Sequence, residues 1–302
     1  MTVLILGGTD DEHAVHITEY LRKRGGDAEL LDSRWFPAEL KLAFEPGRGS
    51  WTVRLPGGRT LDSRQIRSVY WRCYNNVTQP VLPDAEQAYI AFNDARSLFE
   101  SLLIQLPARW VNGWRGYQLH QTKPAALALV AALGVPVPAT ILGNDPEAVR
   151  AFAARYPRCI FKPVQGGAHT RRVTVGHLTD ENLQSLAIAP VTLQEEVPGT
   201  NIRAFVIGRR LLACEIRSGD VDFRDSDDPH IVPHTLPAAV QRQCFAAAEA
   251  LSLVWSGIDL RLTPEGRYVF LEANPSPMFL GFESRSGLPL TDSLADLLLE
   301  AG

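Results

Sequence analysis

Short apolar runs alternate with longer amphipathic stretches over the first part of the chain. "TVLILGG" (2–8) is a buried-strand run ended by a glycine turn. "AVHITEYLRKRGG" then follows helical spacing until Gly25 and Gly26 stop it. "DAELLDS" supplies a second strand, so the chain opens as a βαβ unit and predicts a parallel sheet. "SVYWRCY" (68–74) reads as a further strand. Over 84–106, Ala88, Phe92, Ala95, Phe99 and Leu103 recur at helical spacing and predict one long amphipathic helix. "RWVNG" (109–113) is a short strand that closes this first unit.

The pattern then changes. Residues 117–140 give a helix, a turn at Gly134 and a strand, and 145–157 a further helix with Asp145 as cap and Pro146 at its first position. "CIFKPVQGGAHTRRVTVGHL" (159–178) reads as a strand, a glycine-containing loop and a strand. "VTLQEEVPG" (191–199) is a strand that leaves this unit. Two hairpins follow, 201–218 turned at Gly208 and 256–277 turned at "TPEG", with a helix over 237–253 between them and a last helix from "LPLTDSLADLLLEAG". There is no internal repeat or low-complexity stretch. The expected division is 1–115, 116–197 and 198–302.

Composition narrows the class. The chain has 302 residues, 45% of them hydrophobic, and a net charge of -4, which lacks the basic footprint of a nucleic-acid surface. No apolar run approaches a membrane span, and the N-terminus reads as a first strand rather than a signal peptide. Cys73, Cys159, Cys214 and Cys244 are spread singly, which argues against zinc or a disulfide framework and makes a reduced cytoplasm the default. The first turn, "GGTDDEH", is not G-x-G-x-x-G, so a dinucleotide-dependent oxidoreductase is not expected.

The candidate chemistry lies in the last hairpin. Asp259 precedes the turn, and Glu272 and Asn274 follow it on one face of the return strand. Centring the turn pairs Asp259 with Val269 or Phe270; an offset of two residues would bring Glu272 within diagonal reach. Three oxygen-bearing side chains without sulfur suit Mg²⁺, which is held by one or two carboxylates together with substrate phosphates. Phosphates call for cations. Lys162 ends an apolar strand just before Gly166 and Gly167, whose backbone N–H groups can approach phosphate oxygens closely. Lys123 starts a helix; alone it reads as a surface lysine. Arg203 and Arg217 have the same parity on their hairpin and form a candidate clamp for a transferring phosphoryl group. His230 and His234 are read as lining a mobile loop, not as metal ligands.

The order of a helix-borne lysine, "FKPVQGGAH", "LQEEVPGTNIRAFVIG", "GIDL" and "FLEANP" resembles the ATP-grasp superfamily over essentially the whole chain. Within it the chain looks most like the RimK-type amino-acid ligases and the graspetide (microviridin-type) macrocyclases; "VYWRCY", "WVNG" and "IRSGDVDFRD" carry the second likeness. It departs from those macrocyclases at Asp222-Phe223-Arg224, where Asp-Trp-Arg is common, and after "NP", where Asn-Gly is frequent.

The resemblance implies an α/β (α+β) fold, with a Rossmann-like pre-ATP-grasp domain and two α+β subdomains sandwiching ATP. It implies that Lys123 and Lys162 contact phosphates and that the loop from Gln165 to His169 covers them. Gln194, Glu195, Glu196 and Val197 would form the adenine hinge, and Asn201 would fall at the ribose. Asp259, Glu272 and Asn274 would hold two Mg²⁺ ions, with Mn²⁺ as a substitute, and Arg203 and Arg217 would stabilise the γ-phosphate. The implied enzyme is a cytoplasmic ADP-forming ligase that joins a carboxylate to an amine or hydroxyl through an acyl phosphate. Its substrate would be an amino acid or a peptide, with a homodimer as an assembly to consider. The rival of another class is a nucleotide-binding sensor or scaffold without catalysis.

Overall fold

A computed structural model describes residues 1–165, 169–217 and 230–300. The opening runs β1 (Thr2–Leu6), α1 (Glu12–Lys23) and β2 (Ala28–Leu31), with both strands parallel as expected. Asp11 caps α1, its carboxylate accepting from the Ala14 N–H. The sequence pattern had left 36–67 unread. There β3 (Lys41–Glu45), β4 (Ser50–Arg54) and β5 (Thr60–Asp62) form a small antiparallel sheet, its apolar side holding Trp51 and Val53 fully buried. β6 (Ile66–Trp71), the long α2 (Ala85–Gln105) and β7 (Arg109–Val111) complete a parallel sheet of order β2-β1-β6-β7.

The helix expected over 117–133 is two helices, α3 (Trp114–Gln121) and α4 (Lys123–Ala132), separated at Thr122. Pro124 explains the break: it sits in the first turn of α4, where its missing N–H costs nothing. Leu119, Leu127 and Val130 of these helices pack into the core of the C-terminal sheet.

β8 (Thr140–Gly143), α5 (Pro146–Arg155), β9 (Cys159–Pro163), β10 (Arg171–Arg172), α6 (Asp180–Leu183) and β11 (Val191–Glu195) build a second sheet of order β10-β9-β11-β8. Asp145 caps α5 through the Glu147 N–H, with Pro146 at the first position, as the sequence predicts. The core beneath this sheet is its own, built from residues such as Val149, Cys159, Leu183 and Leu193.

The last sheet has order β14-β13-β12-β15-β16. It is formed by β12 (Thr200–Ile207), β13 (Arg210–Arg217), β14 (His230–Pro233), β15 (Trp255–Leu262) and β16 (Tyr268–Asn274), with α7 (Ala238–Ala250) on one face. The other face is buried against the N-terminal sheet in a shared core. Phe205, Trp255 and Phe279 meet Val3, Ile5 and Ile17 there, joined by Leu290 and Leu294 of α9 (Leu290–Leu299). A short helix that the pattern missed, α8 (Leu280–Ser286), precedes α9.

The C-terminal sheet is pinned to the N-terminal unit by polar bonds from a buried side chain. The Asn112 amide donates to the carbonyls of Trp255 and Pro275 and accepts from the Val254 N–H, each at 2.7 Å. All four cysteines are free thiols. Among the described residues no helix is long and apolar enough to cross a membrane.

Candidate active site

The site is organised by the register of β15 and β16. From Leu262↔Tyr268 to Leu260↔Phe270 the ladder is regular; a β-bulge then leaves Leu271 unpaired and sets Asp259 directly opposite Glu272. The bulge supplies the offset that the turn alone does not. Past it, Asn274 pairs with Gly257, so Asp259, Glu272 and Asn274 share one face. Gly257 is required there: a Cβ would lie 2.7 Å from Pro277 Cβ and 3.0 Å from Arg203 Nη1.

Two cations meet the carboxylates. Arg203 grips Asp259 bidentately, Nε at 2.5 Å and Nη2 at 3.1 Å, with its guanidinium 5.1 Å above the Phe282 ring. Lys123 Nζ lies 2.9 Å from Glu272 Oε2. Burial pushes the Asp259 carboxyl above its usual range against the pull of Arg203. At Glu272 burial acts in the same sense but is outweighed by Lys123, Lys162 and Arg203, which hold that carboxyl below its usual range.

These residues line a cavity of about 600 Å³ that also takes in Lys162, Gln194 and Asn201. Lys162 Nζ donates to Gln194 Oε1 at 3.3 Å, and Gln194 is buried. Asn201 Oδ1 accepts from Arg261 Nη1 at 2.7 Å, which turns its amide N–H₂ away from that partner.

Other expected residues lie elsewhere. Arg203 pairs with Cys214 across β12 and β13, so Arg217, three residues on, points to the opposite face. Its side chain is 57% exposed and bound to Glu215 at 2.9 Å. The clamp of two arginines on one face does not form, because equal parity across this two-residue turn means opposite faces.

Gln165 is exposed and donates to Gln121 Oε1 at 2.8 Å. His169 faces a second, apolar cavity on the other side of β9. In the expected hinge the Glu195 N–H already donates to Ala139 at 2.9 Å. Glu196 is paired with Arg172, and the Val197 carbonyl accepts from Arg261 Nε at 3.1 Å, keeping one lone pair. His230 lies on the edge strand of the last sheet, and His234 follows that strand. His230 opens β14 opposite Arg217, and His234 Nε2 is 2.8 Å from Tyr268 Oη. Gly166, Gly167, Asp222, Phe223 and Arg224 lie outside the described residues.

The structure adds Glu12 and His13 from α1, His120 from α3 and Arg285 from α8 to the cavity wall. No local motif marks them. The one available signal was their place just past the carboxyl end of a parallel strand or in a helix flanking the hairpin.

The donor set fits a hard divalent ion. It offers two facing carboxylates and an amide oxygen, Asn274 Oδ1, that spends one lone pair on the Ser276 N–H at 3.0 Å. Among the described residues no group of three or more His, Cys, Asp or Glu side chains forms a metal cluster, so phosphate oxygens or water would complete the coordination.

No family model matches the chain. It is 32% identical to the ATP-grasp ligase PsnB, solved in complex with a minimal precursor, with a TM-score of 0.85 over 98% of this chain and 97% of that one. A further PsnB structure, at 30% identity and a TM-score of 0.83, contains minimal precursor, Mg and ADP. The macrocyclase MdnC from Microcystis aeruginosa MRC shares the fold, with a TM-score of 0.87 at 24% identity over the whole of both chains. A probable alpha-L-glutamate ligase of Mannheimia succiniciproducens is 28% identical over 277 residues, 84% of this chain and 91% of that protein.

The chain belongs to the ATP-grasp ligases. It is an ATP-dependent ligase, in a family whose member PsnB was solved with Mg and ADP.

Proposed function

We propose that this ligase activates a carboxylate side chain of a peptide and joins it to a hydroxyl or amine of the same peptide, releasing ADP and phosphate. The observation that carries the reading is the Asp259–Glu272–Asn274 face beside Lys123 and Lys162 in one cavity. Its likeness to PsnB, which was solved with its precursor, favours a peptide substrate.

In this reading the two lysines hold the triphosphate and Arg203 meets the charge on the transferred phosphoryl group. Asp259, Glu272 and Asn274 would hold two Mg²⁺ ions, or Mn²⁺ in their place. Bound there, the ions would supply positive charge to offset that of the phosphates. Gln194 and the Val197 carbonyl recognise the adenine, and Asn201 offers its amide to the ribose. No side-chain nucleophile is needed, since positioning and charge account for most of the barrier reduction.

A second reading, addition of glutamate to an acceptor, draws on the Mannheimia relative. Incubation with ATP, Mg²⁺ and a mixture of synthetic peptides carrying Asp, Glu, Ser, Thr and Lys, with and without free glutamate, separates the two. Loss of one water from a peptide together with ADP supports crosslinking; gain of a glutamyl residue supports the second reading. Absence of ADP in every mixture would leave only a nucleotide-binding protein.

A further inference from the structure

Joining an acyl phosphate to a hydroxyl or an ammonium requires somewhere to put a proton. Among the described residues three carboxylates line the cavity: Asp259, Glu272 and Glu12. The first two are bound to Arg203 and Lys123 and face the metal position. Glu12 has no Lys or Arg partner among the described residues, and its side chain is 73% exposed.

Its neighbour His13 lines the same cavity and is only 2% exposed. His13 Nδ1 lies 3.5 Å from the Phe279 N–H and accepts from it, which assigns the ring proton of the neutral imidazole to Nε2. That Nε2 has no hydrogen-bond partner and sits 3.6 Å from Glu12 Oε1. The ring is fixed by its contact with Phe279, centroids 4.8 Å apart. Burial, reinforced by Arg72, holds the imidazole below its usual range, so it stays a neutral donor.

The start of α1 is also held to the end of β16. Arg72 Nε donates to Asp11 at 3.1 Å, and Arg72 Nη1 donates to the Ser276 carbonyl at 2.8 Å, two residues past Asn274.

We propose that Glu12 is the general base of the joining step and that His13 positions its carboxylate. This rests on the ligase reading above. The nucleophile's oxygen or nitrogen forms a bond to the acyl carbon. The bond from that carbon to the phosphate oxygen breaks, and phosphate leaves with the electron pair. The proton of the nucleophile passes to Glu12 and from there to water. An amine that arrives as ammonium gives its first proton to the same carboxylate.

Hydroxylamine divides the reaction at the right place, because it captures the acyl phosphate as a hydroxamate without needing a base. The test uses the full chain, ATP, Mg²⁺ and the mixture of synthetic peptides described above. Glu12→Gln should slow dehydration by roughly a hundredfold or more, while hydroxamate forms at the wild-type rate. His13→Leu should slow dehydration alone. His13→Gln, whose amide N–H₂ falls near the place of Nε2, should recover part of that loss. Thermal melts of each variant report folding. Dehydration by Glu12→Gln at the wild-type rate, or an equal loss of hydroxamate and dehydration, overturns the assignment. A wild type that yields neither product overturns the ligase reading, and this proposal with it.

Discussion

Two neighbouring hairpins, β12–β13 and β15–β16, both carry arginines and carboxylates, yet only the second sets two carboxylates opposite each other. In the first, a two-residue turn at Gly208 pairs Ile207 with Arg210 and continues without interruption, so residues of equal parity on its two strands face opposite ways. Arg203 is thereby buried against Asp259 and Arg217 is left on the outer face. In the second, one extra residue at Leu271 shifts the pairing, and Glu272 comes round to Asp259. A single unpaired residue decides whether two carboxylates cooperate or lie on opposite faces of the sheet.

The sharpest way to break this contrast is at the bulged hairpin. Glu272→Gln should abolish ADP formation with little change in thermal stability; turnover at the wild-type rate would remove the metal role. Chelation with EDTA should stop turnover as completely, and both Mg²⁺ and Mn²⁺ should restore it. Arg203→Lys keeps the charge but loses the planar fork that holds Asp259, so turnover should fall at least about tenfold. Arg217→Met should leave turnover within about twofold, and an equal loss in both variants would erase the distinction between the two faces.

A smaller effect concerns anchoring. Asn112 satisfies backbone groups of both Trp255 and Pro275 from a buried position. Asn112→Ala should lower unfolding free energy by about 3 kcal/mol, read by urea titration, since buried partners lose their bonds.

The smallest effect is electrostatic. The Arg217 hydrogen bond holds the Glu215 carboxyl below its usual range. That pair therefore stabilises the fold at neutral pH, and its contribution is lost as pH falls through the carboxylate range. Because Arg217 is solvated, the difference in stability between wild type and Arg217→Met, read by urea titration, should be small at pH 7 and vanish in acid.

Much of this arrangement is legible in the sequence. The apolar runs, the glycine stops, Asp145 with Pro146, and both hairpin turns locate the elements, because each is a local event set by a few adjacent residues. The residue types in "GIDL" and "FLEANP" point to the face of Asp259, Glu272 and Asn274 for the same reason. Register is not local. The bulge depends on how Phe270 and Leu260 pack in the core beneath, and the burial of Arg203 depends on a strand far away in sequence. Glu12, His13 and Arg285 escaped because nothing in their flanking residues distinguishes them from ordinary helix positions; only the meeting of α1, α8 and β16 does. The three-stranded sheet of 41–62 was missed because its strands are short and half exposed.

One consequence follows from where the cores lie. The outer two sheets share Phe205, Trp255, Val3 and Ile5 in a single apolar mass, whereas the middle sheet rests on side chains of its own. The middle sheet, with Lys162 and Gln194, is thus expected to melt or shift apart from the joined pair, and an engineered cross-bridge between the two should slow turnover without lowering the stability of either core.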